Sequence, residues 1–133
     1  MGSPAVGQDA QVVGVDIHIV LVPTPAGSVP TPLPHPFVAK VSGATVSTVK
    51  IAGKPAATKD STTENSPKHI AMPPGVSFQS PPSDAGTVDQ ASSTVKVGGK
   101  GLARVGDLVK TCNDPSDQTT GAIIGPVGTV MAG

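Results

Sequence analysis

The sequence predicts a small all-β fold, and three observations carry that expectation. The 133 residues include 16 glycines and 15 prolines, so few windows are long enough for a stable amphipathic helix. From Val13 to Leu21 the odd positions Val13, Val15, Ile17, Ile19 and Leu21 are all apolar, which is the period-two stripe of a half-buried strand. The stretch Ser47 to Ala57 recurs 46 residues later as Ser93 to Ala103, with seven identities in eleven places, and each copy has the shape of a hairpin.

Taken in order, the first strand is expected to turn its odd residues to the core. Gly14, Asp16, His18, Val20 and Val22 would then lie on the opposite face, where Asp16 is either a solvated carboxylate or a group that orients His18. The proline-rich stretch from Pro23 to Pro36 follows, with His35 between Pro34 and Pro36. Proline on both sides restricts the backbone, so His35 would lose less entropy on being fixed to a metal than a histidine in a flexible loop; the alternative is a rigid polyproline-II spacer with an exposed ring. In the two repeats, Ala52-Gly53 and Gly98-Gly99 take the turn, while Val49 and Ile51 in one copy and Val95 and Val97 in the other face a common core. A fragment of the same signal recurs at Gly128-Thr129-Val130. A hairpin that cannot bury its own face must pack against its copies, and a diverged third copy is sought in Val13 to Val22 together with Thr129-Val130.

Composition limits the function classes. The length suits a single domain over residues 1–133. With no Trp, no Tyr and only Phe37 and Phe78, the core is thin and calls for another staple. One cysteine excludes an internal disulfide. Nine basic residues balance nine acidic ones, without a basic patch or stacking aromatics, which argues against nucleic acid. The apolar run Val12 to Val22 is too short to cross a bilayer, and no basic segment precedes it as a signal peptide requires.

The staple is read from His18, His35, His69 and Cys112, which are all the histidines and cysteines of the chain. Three imidazoles and a thiolate close a tetrahedral zinc site and leave no place for a catalytic water. Their wide spacing means that the fold must assemble them. His69 follows the first repeat and Cys112 the second at comparable distances, twelve residues after Ala57 and nine after Ala103.

Lys54-Pro55-Ala56-Ala57-Thr58 and Gly101-Leu102-Ala103-Arg104-Val105-Gly106-Asp107 resemble the repeats of the PAAR family, named for Pro-Ala-Ala-Arg. The first copy has Thr58 where Arg is usual, and the second has Gly101-Leu102 in place of Pro-Ala. The resemblance covers nearly the whole chain. It implies a small cone-shaped β fold with pseudo-threefold symmetry that caps and sharpens the trimeric β-helical spike of a contractile injection system, such as a type VI secretion machine or a phage-tail-like particle. It also implies one structural zinc held near the vertex by three histidines and a cysteine, which maps by residue type onto His18, His35, His69 and Cys112. The expected partner is a trimeric spike protein carrying one copy per trimer, with membrane contact only in transit. Assembly would take place in the cytoplasm, before delivery to the target or to the exterior.

Two other functions are weighed against the spike tip. An adaptor that loads a separate effector onto the spike is compatible with the sequence. A zinc enzyme would need an open coordination position and a general base, yet the four ligands fill the sphere, Glu64 is the only glutamate, and no Gly-x-Ser-x-Gly nucleophile motif occurs. No catalytic residue is assigned.

Overall fold

The computed structural model describes residues 2–114, 116–125 and 130–133. Its strands run β1 (Ser3–Pro4), β2 (Gln11–Thr24), β3 (Gly27–Gly43), β4 (Val46–Ile51), β5 (Lys54–Ala56), β6 (Thr62–Asn65), β7 (Ser77–Phe78), β8 (Ala85–Val88), β9 (Lys96–Val97), β10 (Lys100–Gly101), β11 (Leu108–Thr111), β12 (Gln118–Gly125) and β13 (Met131–Ala132). There is no helix among the described residues, so the all-β expectation holds. Six strands pair in the order β2, β3, β6, β8, β11, β12, and β12 returns to β2, which closes an antiparallel barrel. Closure removes the free edges that an open sheet would expose.

Below the barrel lie three two-stranded ribbons, β1 with β13, β4 with β5, and β9 with β10. Each ribbon feeds a segment that bridges to the next: Gly7 to Ala56, Thr58 to Leu102, and Arg104 to Ala5. At their centre the backbone closes on itself. Val6 N–H donates to Ala103 O at 3.1 Å, Ala103 N–H to Ala57 O at 2.9 Å, and Ala57 N–H to Val6 O at 3.1 Å. The turns above repeat the pattern, with Asp9, Asp60 and Gly106 N–H donating to Val41, Val88 and Ile123 O at 2.8, 2.9 and 2.8 Å. The three donors of those turns all have positive φ, at 69°, 73° and 93°. The third repeat is therefore Ser3-Pro4-Ala5-Val6-Gly7 paired with the carboxyl end of the chain. Val13 to Val22 forms barrel and ribbon instead, and Gly128 and Thr129 lie outside the described residues.

Two apolar clusters follow from this arrangement. The lower one gathers an equivalent pair from each ribbon, Ala5 with Ala132, Ile51 with Ala56, and Val97 with Leu102. Val95 packs against it as expected. Val49 does not, because the register of β4 on β5 shifts between Val46 and Lys50 and breaks the alternation. The upper cluster fills the barrel, where Val12 pairs with Ile123, Val109 with Val88, and Thr63 with Val41. All six are buried.

The longest pairing, β2 with β3, decides where the polar residues go. Contrary to the expectation for β2, its even residues Val12, Asp16, His18 and Val20 are buried, whereas Val13, Val15 and Ile17 are 36%, 54% and 39% exposed. A one-residue change of face moves a whole strand's side chains between core and solvent. Here the interior holds the partners that a buried carboxylate and imidazole require, and the apolar stripe offers none to them. Likewise the stretch from Pro23 to Pro36 is no free spacer but part of this ladder. Pro30, Pro32, Pro34 and Pro36 stand opposite Leu21, Ile19, Ile17 and Val15. Ile17 and Ile19 send their N–H groups away from β3, to Asn113 Oδ1 and Asp114 Oδ2, so these are the pairs that exchange no ladder bond. Proline, lacking an N–H, fits those places and leaves its outer edge without donors.

Replacing Gly99, at φ 82°, by Val is expected to destabilise the protein by about 1–2 kcal/mol or more, whereas the exposed Lys96→Ala should change little. Thr63 takes the barrel position that Val12 and Val109 hold in the other two repeats, and its hydroxyl finds no hydrogen-bond partner among the described residues. Thr63→Val, which keeps the shape and removes the unpaired group, is expected to stabilise by about 1 kcal/mol. Chemical unfolding of the three variants measures both effects.

Candidate metal centre

Above the valine level the barrel interior turns polar. Asp16 and His18 descend from β2, and His35 stands opposite Asp16 on β3. Cys112 and its neighbours Asn113 and Asp114 are laced onto β2: Asp114 N–H donates to Ile17 O at 2.8 Å, and Ile17 N–H to Asn113 Oδ1 at 2.6 Å. His69 lies in the irregular stretch after β6, held by its own N–H to Asp84 Oδ1 at 2.8 Å. Both phenylalanines of the chain wall the group, Phe78 with its ring centroid 5.7 Å from His18 and 5.4 Å from His35, and Phe37 6.1 Å from His69.

All four residues singled out from the sequence meet here. The ring centroids of His18, His35 and His69 lie 4.7–5.9 Å apart. Ligand atoms of His18, His69, Cys112 and Asp16 lie within 4.8 Å of one another. His35 stands beside that set with both nitrogens engaged by backbone, Nδ1 donating to Leu33 O at 2.9 Å and Nε2 accepting the Met72 N–H at 3.2 Å.

Asp16, which sequence reasoning placed outside the ligand set, is the hub. It is fully buried. Its Oδ1 accepts from Thr111 Oγ1, from Asn113 Nδ2 at 3.3 Å and from Thr120 Oγ1 at 3.3 Å. Its Oδ2 faces His69 Nε2 at 2.9 Å, Cys112 Sγ at 3.5 Å and His18 Nε2 at 4.0 Å, and Cys112 Sγ is 3.7 Å from His18 Nε2. The signal was present in the sequence as Asp16-x-His18, since residues two apart on a strand share a face. The roles of Thr111, Asn113 and Thr120 had no such signal.

These separations can be set against coordination. Bonds of about 2.0–2.3 Å to a tetrahedral ion space the ligand atoms roughly 3.3–3.7 Å apart; Cys112 Sγ stands at 3.5 and 3.7 Å from Asp16 Oδ2 and His18 Nε2, while Asp16 Oδ2 is closer to His69, at 2.9 Å, and farther from His18, at 4.0 Å. Charge points the same way. Burial, then the Asp16 carboxylate, push the Cys112 thiol up to about 11, outweighing the Asp84 N–H that donates to it. Were the thiol ionised, it and Asp16 would carry two negative charges, which a divalent ion among neutral imidazoles would balance. The cluster can thus hold a metal ion.

Compared with known protein families, curated proteins and solved structures, the chain finds no match.

The metal-free protein should be most stable between about pH 6.5 and 9. Burial holds the His35 imidazole below its usual 6.5, so as pH falls through 6.5 the unfolded chain takes up a proton that the folded one refuses, and stability drops. The Cys112 thiol keeps its proton above its usual 9.0, up to about 11, so stability also drops as pH rises from 9. Urea midpoints measured from pH 5 to 11 in the presence of chelator would show both flanks, and Cys112→Ser should remove the alkaline one.

Proposed function

We propose that this chain is a PAAR-type spike tip, a structural protein that caps and sharpens a trimeric β-helical spike of a contractile injection system and aids membrane puncture. The observation that carries this reading is the closed ring of backbone hydrogen bonds through Val6, Ala57 and Ala103. It presents three ribbons, each made of equivalent segments, around one axis. A single chain matches a threefold partner only by offering three equivalent surfaces, and β1/β13, β4/β5 and β9/β10 are such surfaces. Docking extends the blades of the spike by main-chain pairing with small aliphatic contacts beneath, and depends little on salt because the chain carries no net charge. The outward-facing Glu64, far from the role of a general base, fits a structural role over an enzymatic one.

The centre at the other end of the barrel is proposed to hold one zinc, the ion suited to thiolate, imidazole and carboxylate in tetrahedral array. When bound, zinc joins β2, the stretch after β6 and the segment after β11, and β3 as well if His35 takes part, at a level where apolar burial is limited to a few side chains such as Phe37 and Val20. His18, His69 and Cys112 belong to the set in any arrangement. The fourth corner is filled by Asp16 Oδ2 as the side chains stand, or by His35 Nε2 once it releases the Met72 N–H.

Purified protein never exposed to chelator is expected to carry about one zinc per chain by elemental analysis. Ala at His18, His69 or Cys112 should abolish stoichiometric binding and lower the melting temperature sharply, while Asp16→Asn against His35→Ala reports which group takes the fourth corner. Acid should release the ion, because thiolate and neutral imidazole are the ligating forms. Protein devoid of metal would overturn the zinc assignment.

For the partner, native mass spectrometry of the assembled complex should give one copy per spike trimer. Three copies, or no complex with any spike trimer of the source organism, would defeat the spike-tip reading.

A further inference from the structure

His18 is almost completely buried, and its two nitrogens face different surroundings. Nε2 looks into the cluster, toward Cys112 Sγ and Asp16 Oδ2. Nδ1 looks away from it, makes no hydrogen bond of good geometry among the described residues, and lies 3.4 Å from Asp114 Oδ2. A neutral imidazole carries one proton, and only the nitrogen without it can ligate a metal. What faces Nδ1 therefore decides whether His18 is a ligand at all.

Asp114 is unusually well placed to decide it. Its N–H donates to Ile17 O at 2.8 Å, and its Oδ2 accepts Ile19 N–H at 2.9 Å, so the carboxylate is clamped on both sides of His18 along β2. With 18% of its side chain exposed, the carboxylate keeps contact with water on its outer side. Nothing else about the barrel requires a carboxylate there, since an amide oxygen would serve the Ile19 N–H equally well.

We propose that Asp114 is the positioning residue of the metal centre: it holds the proton of His18 on Nδ1 and so keeps the Nε2 lone pair turned to the ion. Closing the 3.4 Å gap by a few tenths of an ångström completes a carboxylate–imidazole–metal relay, which makes the imidazole a stronger ligand. The inference rests on the reading of the cluster as a metal centre, but its first test does not need metal.

In metal-free protein, long-range ¹H–¹⁵N spectra should show His18 as the Nδ1–H tautomer, and Asp114→Ala should shift it toward Nε2–H. A wild-type His18 protonated on Nε2 would overturn the proposal outright. In the second test, cobalt(II) is titrated into the metal-free proteins and its visible absorption followed in competition with a chelator. Asp114→Ala is expected to bind about 10–100-fold more weakly, with Asp114→Asn between it and the wild type. If Asp114 merely ties down the Ile19 backbone, the variants will melt lower by the same amount with and without cobalt and bind it as tightly as the wild type, which also defeats the proposal. Should Asp114→Ala fail to fold, Asp114→Asn and the wild-type tautomer still decide. A wild type that takes up no cobalt would instead refute the metal centre and leave the tautomer result standing.

Discussion

The structure depends on three backbone groups closing a ring, Val6 to Ala103 to Ala57 and back. Three stretches of one chain can approach an axis this closely only if their side chains are small. Ala57 and Ala103 are completely buried on the ring, and Ala5 and Ala56 precede it. Val6 takes the third place on the ring, so a larger residue at either alanine would have to pack against Val6 and the other alanine at once, with little room to give. The alanine-rich motif is thus a steric requirement of the convergence, and the ring then fixes where each ribbon leaves downward and each barrel strand leaves upward.

From the ring upward, the three repeats diverge level by level. At the first level Val12, Thr63 and Val109 face Ile123, Val41 and Val88, an apolar layer with one hydroxyl. At the next, Gly14, Asn65 and Thr111 face Gly121, Ala39 and Gly86, small or polar residues around the buried ring of Phe37, which stands opposite Gly14 on β3. There a methyl group on Gly14 would stand 2.6 Å from Thr120 O, so β2 and β12 leave no room for a side chain at that position. Above that comes the ionisable cluster. Apolar burial dwindles along the barrel to a few side chains such as Phe37 and Val20, since the chain has two phenylalanines and no Trp or Tyr. Crosslinking by a metal ion, proposed above for this cluster, would add stabilisation that does not depend on apolar area.

The cluster also explains why Asp16 is tolerated at zero exposure. One oxygen is satisfied by three neutral donors from β11, β12 and the segment after β11, which keeps the carboxylate in place and leaves the other oxygen to face the two imidazoles and the thiol. Without a cation, burial and then the Asp16 carboxylate keep the Cys112 thiol protonated, and it faces Asp16 Oδ2 as a donor. The cluster can therefore hold a divalent ion, with Cys112 giving up its proton on binding.

Much of this was legible in the sequence. The period-two run in β2, the repeat at 46 residues and the glycine turns predicted the strands and two of the three ribbons, because strand alternation and turn chemistry are local properties. The histidines and the cysteine could be named as a set because the chain has no others. What the sequence left undecided was decided by partners distant along the chain. The face of β2 that turns inward depends on β12 and on Thr111 and Asn113, some hundred residues away, since a one-residue slip exchanges the two faces at no local cost. The third ribbon is split between the two ends of the chain, so no window contains it. Asp16 at the hub of the cluster and Asp114 behind His18 follow from the same cause: their roles exist only where closure of the barrel brings β2 against the segment after β11.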